Sequence, residues 1–338
     1  MRLTESQLRN LIRKSVRRAL LEAEETTDPK AAGALEDLSV SSGPSDTVKF
    51  LNGPGADPRV RALIKAGTSD GAPDDEAASI SEGSATIGEL IPTQIEIELT
   101  KSIAYPLAKF EAMKKMISGG TQRIGPPGND MIVTSGNLIV DGHHRWSSLF
   151  SVTGPSGAIA SINVELPEKD AASVLSIVQT AIAATLDGPV PKAKAGGMNI
   201  LGKGKDELVS LITSAIGESS EAGEILSDDF VQKCIADDGV RSHFGIEEDA
   251  DLSSARTAIV EKVADNLSQM NQPAAGSPPR VDMPQLDKAS GGVQGALEKL
   301  ASGDVNYKPP FTAKESRVHR GDQIVLERWQ KLAGLIKG

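Results

Sequence analysis

Between residues 138 and 146 the chain reads Leu-Ile-Val-Asp-Gly-His-His-Arg-Trp, and its polar chemistry is concentrated there. Asp141, His143, His144 and Arg145 place a carboxylate, two imidazoles and a guanidinium within five positions, around Gly142. Two of the four histidines and one of the two tryptophans lie in this window, so no other stretch offers comparable material for a site. Gly142 lets backbone approach an anion closely, Arg145 brings a planar donor fork matched to phosphate, and His144 suits proton donation or shuttling near neutral pH. Asp141 either orients His143 or holds Mg²⁺ through water, because magnesium takes carboxylates together with phosphate oxygens. The same residues support a purely structural account. Asp141 and Arg145 have the i,i+4 spacing of a helix-end ion pair, Trp146 suits a core, and the histidines can satisfy buried backbone groups. A metal held only by Asp141, His143 and His144 fits less well, since adjacent histidines rarely converge on one ion.

The surrounding pattern says what must position these groups. Residues 131–134 and 137–140 read as two short strands around Ser135-Gly136, and 146–150 carry helical spacing until Gly154-Pro155. The motif is therefore expected on a strand-to-helix turn, where free backbone N–H groups make a ready anion site. Upstream, residues 91–99 alternate Ile95, Ile97 and Leu99 against Gln94, Glu96 and Glu98, the period of a half-buried strand beginning at Pro92. Residues 102–117 read as a helix stopped by Gly119-Gly120, and 158–166 as another alternating strand.

Strand, helix, Gly-Gly, strand, strand and then Asp-Gly-His-His-Arg on a turn into a helix resembles the ParB/sulfiredoxin-like superfamily. The resemblance spans roughly residues 87–170, about a quarter of the chain. Its most specific part, 139–146, is similar to the signature of the ParB-like nuclease and free-serine-kinase branches. It implies an α+β domain with a small mixed sheet, and a nucleotide phosphate (ATP, ADP or CTP, with Mg²⁺) bound at the turn by Gly142, His144 and Arg145. In sulfiredoxins the turn is Gly-Gly-Cys-His-Arg, so His143 stands where the catalytic cysteine would be and sulfinic acid reduction is excluded. The serine-kinase branch places a catalytic glutamate upstream, a role assigned here to Glu98 ahead of Glu96, with Asp141, His143 and His144 as the other catalytic candidates. One fold hosts several reactions, so phosphoryl transfer and phosphodiester hydrolysis both stay open.

The rest of the chain divides by composition. Residues 1–22 set six basic residues against two acidic ones, with Leu8, Leu11, Ile12, Val16 and Leu20 at helical spacing. This amphipathic segment fits a docking helix, a transit peptide, or a capsid-targeting leader. The last reading rests on its similarity to leaders of T-even-like tailed phages, with Leu20-Leu21-Glu22 before Ala23 resembling a prohead-protease site. Residues 23–86 are rich in Ser, Gly, Pro and acidic residues and read as a disordered or extended arm, with order expected from about Ile87. Residues 171–270 read as mainly helical, including helices at 170–186, 206–216, 221–236 and 252–270, the last capped by Ser253 or Ser254. Residues 271–338 read as a Pro-rich linker or arm with a short helix at 293–300 and a final amphipathic helix at 320–336.

Composition narrows the function classes. The 338 residues carry a net charge of −10, which opposes sequence-independent binding to nucleic acid or anionic membrane. A single cysteine, Cys234, excludes an intramolecular disulfide and a cysteine-rich zinc site. No apolar run reaches the ~18–20 residues of a membrane span, and residues 206–236 lack a basic recognition helix, so specific DNA binding is not expected. Gly202-Lys-Gly-Lys205 lacks the spacing of a phosphate loop and reads as a flexible basic loop. Two accounts follow. One is a phage-encoded nucleotide-binding protein, packaged in the head or acting in the host cytoplasm. The other is a non-catalytic virion component that uses the domain as a scaffold and its arms to contact capsid proteins or other copies of itself.

Overall fold

The computed structural model describes residues 43–53, 64, 78–166, 168–194, 197–303 and 305. The basic leader, its Leu-Leu-Glu tripeptide and the helix expected at 320–336 lie outside them. The fold is α+β, as expected: a six-stranded mixed sheet between two helical layers, with a second, two-stranded sheet.

The centre of the sheet is built from the apolar runs that flank the motif. Strands β1 (Ser79–Thr86), β2 (Ile91–Pro92), β3 (Thr121–Gln122), β4 (Ile132–Ser135), β5 (Leu138–Asp141) and β6 (Ala158–Glu165) include the path β1-β6-β4-β5-β2, with β3 also on β6. The β4–β5 pair is the expected hairpin; Gly136 takes φ 58° at the turn and its N–H donates to Asn163 Oδ1 at 2.9 Å. β5 is buried on both faces, which is why its sequence is a continuous apolar run rather than an alternation. Ile139 joins the core under α2 (Leu99–Ala108), α3 (Phe110–Ile117) and α4 (His143–Thr153), while Leu138 and Val140 face α5 (Ala171–Thr185). Asp170 caps α5 by accepting from Ser173 N–H at 2.9 Å, and nearly every residue of this helix is buried.

Several expectations are corrected. The run 91–99 is not one strand: only Ile91 and Pro92 pair with β5. Thr93 then turns its N–H to His143, and Ile97 and Leu99 bond to the 198–200 loop instead, with Ile200 N–H on Ile97 O at 2.9 Å and Leu99 N–H on Met198 O at 2.8 Å. Ile95 consequently lies exposed and Leu99 begins α2. The single helix expected at 102–117 is two, broken at Lys109 (φ −118°, ψ 90°), and the carbonyl of Leu107 accepts from Leu226 N–H at 2.9 Å. Order begins before Ile87, because α1 (Pro44–Asn52) packs on α5 and β1 forms the edge of the sheet beside β6. In the helical region, α6 (Lys205–Ser214) is followed by a hairpin of β7 (Ser219–Ser220) and β8 (Gly223–Glu224) where helix was expected. Helices α7 (Asp228–Ala236), α8 (Asp238–Phe244) and α9 (Leu252–Ser268) complete the layer, α9 being capped by Asp251 rather than by a serine. The chain then reaches α10 (Gly292–Ser302), the short helix expected near 293–300, which packs on α5. No helix among the described residues is long and apolar enough to cross a membrane.

Residues 271–290 are not a free linker. Asn271 Nδ2 donates to the carbonyls of Gly88 and Leu90 at 2.9 and 2.8 Å. Ala274 N–H reaches Pro92 O at 2.9 Å, and Ile95 N–H reaches Pro278 O at 3.1 Å. The segment thus covers the open side of β2, which proline alone would leave with an unpaired carbonyl.

The far end of α4 is held by the helical region. Asn266 on α9 donates to the carbonyls of Ser151 and Val152, both at 3.0 Å, and His243 Nε2 donates to Val152 O at 2.9 Å, satisfying groups a helix end leaves free. Asn266→Ala is expected to cost about 1–3 kcal/mol, the cost of unpaired buried polar groups. A lowered urea midpoint checks it, and an unchanged midpoint contradicts this tie between α4 and α9.

Candidate functional site

The motif sits where the sequence places it, on the turn from β5 into α4. Gly142 holds φ 93° as the N-cap residue, a conformation that disfavours side chains. A Cβ there would lie 2.7 Å from Ile132 Cγ2 and 3.0 Å from Arg145 Nε, so glycine is demanded by packing inside the protein as well as by the turn. The β4–β5 register skips Val140 between the pairs Val133–Asp141 and Thr134–Ile139, a bulge immediately before the turn.

His143 is buried, and its Nε2 accepts the Thr93 N–H at 3.0 Å. Thr93 Oγ1 in turn donates to Ile139 O at 2.5 Å, so the imidazole joins the start of α4 to the end of β2. A backbone N–H can only donate, which fixes His143 as neutral with its proton on Nδ1. His144 is engaged in the same sense: Arg280 Nη1 donates to its Nε2 at 2.7 Å. Burial is the main cause that lowers the pKa of both imidazoles from 6.5 to about 3; His144, Arg280 and Arg145 add to it for His143, and Arg280, Lys101 and Arg145 for His144. The expectation that His144 shuttles protons near neutral pH is therefore corrected. It is an uncharged hydrogen-bonding group there.

Arg145 does not offer its fork to a ligand. Nη2 pairs with Asp141 Oδ2 at 2.5 Å, and Nη1 donates to Asn129 O and Oδ1 at 3.1 and 2.9 Å. Its Nε is buried without a partner. Asp141 is thus committed to Arg145 rather than to His143, as the structural account of the i,i+4 spacing has it. Among the described residues no group of three or more His, Cys, Asp and Glu side chains could hold a metal ion, so the residues do not supply a protein cage for Mg²⁺ at Asp141. Glu98 stands one residue removed from the turn: its Oε2 lies 3.0 Å from Lys101 Nζ and 3.9 Å from Arg280 Nη1. It supports the arginine that holds His144 and does not line the space beside the turn.

That space is a half-open cavity of about 210 Å³. Residues 140–145 form one wall and Gln94 another; the remaining walls come from Ala193 and Lys194 and from the 280–287 segment through Arg280, Met283 and Gln285. Gln94 is 4% exposed and its Nε2 has no hydrogen-bond partner. Lys194 is exposed, with no ion pair among the described residues. Sequence reading missed Gln94, Lys194 and Arg280. Gln94 looked like the solvent face of a strand, Lys194 lay in a Gly/Pro/Lys-rich loop, and Arg280 lay in a presumed linker; the only available signal was an arginine directly after Pro278-Pro279.

Comparison with protein-family models, with curated proteins and with solved structures gave no match.

The two imidazoles make stability depend on pH. Their folded pKa values lie below the unfolded value, so between about pH 6.5 and about pH 3 the unfolded chain binds protons that the folded chain refuses. Their contribution is complete above that window and is lost as pH falls through it. The melting temperature should drop on acidification from about pH 7 to about pH 4, and His144→Gln should flatten the slope. An equally steep slope in the variant contradicts the assignment.

Proposed function

We propose that the chain is a phage-encoded ParB/sulfiredoxin-like protein that binds the phosphate of a nucleotide, ATP, ADP or CTP, beside the 141–145 turn. The observation that carries this reading is the cavity at the start of α4, with donors on several sides and its two carboxylates each paired with a cation. The first backbone N–H groups of an eleven-residue helix are there, with the positive end of its dipole. Arg280 and Lys194 add two cations, whereas Asp141 is neutralised by Arg145 and Asp287 pairs with Lys288 at 2.7 Å. Because Nε2 of each histidine accepts a hydrogen bond, each Nδ1 carries a proton, and neither ring adds a negative or basic group facing an anion.

Binding is the core of the reading, and phosphoryl transfer or phosphodiester hydrolysis is its extension. Asp141 and Asp287 are the carboxylates that line the cavity, and Glu98 acts only through Arg280, 3.9 Å from it.

A second reading, a virion protein that uses the domain as a scaffold, is favoured by a separate observation. The reactive side chains of the motif are engaged internally, His143 by Thr93, Arg145 through both Nη atoms by Asp141 and Asn129, and His144 by Arg280.

Titration of the full chain with ATP, ADP and CTP, with and without Mg²⁺, separates the two. The first reading expects saturable binding below millimolar ligand, weakened about tenfold or more in Arg280→Ala, the worth of one charge-assisted hydrogen bond. Absence of binding at millimolar nucleotide favours the scaffold. Phosphate release that requires Mg²⁺ would extend the first reading to catalysis.

A further inference from the structure

Among the described residues several buried side chains leave a polar atom unpaired, and of these Gln94 and Arg145 line the cavity. Gln94 follows Thr93 at the end of β2, is buried to all but 4%, and leaves Nε2 without a partner. Leaving a buried amide unpaired is destabilising, and such groups in folded proteins normally find a protein atom, a water or a ligand. Its position is set by strong neighbours: Thr93 is anchored to His143 and Ile139 on one side, and Ile95 N–H is bonded to Pro278 O on the other. Gln94 is therefore held at the cavity wall by backbone anchored on both sides.

Size limits what can enter. Pockets that take whole small molecules run to about 300–1,000 Å³, and this one is about 210 Å³. It has room for one compact group with the remainder of its carrier outside. The polar walls decide the charge of that group. Lys194 and Arg280 present cations beside the start of α4, Arg280 while bonded to the neutral His144 and 3.9 Å from Glu98; of the acidic lining residues, Asp141 is paired with Arg145, which Asn129 also holds, and Asp287 is paired with Lys288.

We infer that the cavity is a receptor for a single terminal phosphoryl group, contacted by Gln94, Lys194 and Arg280 and not by Arg145. The three contacts come from separate stretches of the chain, so the receptor exists only when the 193–194 and 280–287 segments are folded onto the turn. This rests on the phosphate-binding reading above and deepens it: recognition is of the phosphoryl group, whether carried by a nucleotide or as a free phosphomonoester, and the base and sugar contribute little.

The test is calorimetric titration of the full chain with inorganic phosphate, with ATP and with adenosine, on the wild type and on Gln94→Met and Lys194→Ala. Gln94→Met keeps the side-chain volume while removing the amide, and the exposed Lys194 is replaceable without disturbing the core; thermal melts establish that both variants fold. Inorganic phosphate should bind and displace ATP, adenosine should not bind, and each variant should weaken phosphate about tenfold or more. Phosphate binding unchanged in both variants overturns the contact set, as does adenosine binding as tightly as ATP for the size argument. If ATP or CTP binds and phosphate neither binds nor competes, the inference fails and the nucleotide reading stands. If phosphate binds and nucleotides do not, the nucleotide reading fails and the inference stands.

Discussion

The hydrogen bond from Thr93 N–H to His143 Nε2 determines how the rest of this site is assembled. Pro92 has no N–H and ends the pairing of β2, so the next backbone donor must find an acceptor elsewhere or remain unpaired in the core. The buried imidazole supplies it, which places the first turn of α4 against the end of β2 and forces the histidine to stay neutral. Everything beside the turn inherits that constraint: Gln94 is fixed one residue further on, and the 274–278 stretch closes over Pro92 and Ile95, carrying Arg280 to His144.

The motif consequently divides its labour in a way that residue types alone do not disclose. Asp141, His143 and Arg145 are spent on building the turn, and Gly142 is needed because Ile132 and Arg145 leave no room for a Cβ. The groups still able to meet a ligand are the helix's first N–H groups and side chains from outside the motif. A site so constructed depends on the whole fold: without the C-terminal segment it would lose Arg280 and with it the contact that holds His144.

Much of the scaffold was legible in the sequence. The apolar run 138–140, the Ser135-Gly136 turn, the strand before Pro167 and the apolar helix after Asp170 are local patterns, and local patterns report their own periodicity. The strand at 79–86 left no such mark, because it is an edge strand whose residues, Ser-Ile-Ser-Glu-Gly-Ser-Ala-Thr, are mostly exposed on both faces. The alternation expected over 91–99 holds only at Ile97 and Leu99, which bond to the 198–200 loop; at 94–95 it is reversed, with Gln94 buried and Ile95 exposed. Nothing local could show that Thr93 meets His143 fifty positions on, or that Arg280 meets His144 across 136. Prolines at 273, 278, 279 and 284 suppress regular structure, and a stretch without regular structure reads as a linker even where, as here, its backbone is hydrogen-bonded to the sheet.

The most direct measurement is a crystal structure of the full chain soaked with tungstate, an electron-dense tetrahedral oxyanion in place of phosphate. The account predicts one anomalous peak in the cavity beside Gly142, within hydrogen-bond distance of Gln94 and Arg280, with the Arg145–Asp141 pair intact. A cavity holding only water, or an anion that has opened that pair to reach Arg145, would contradict it.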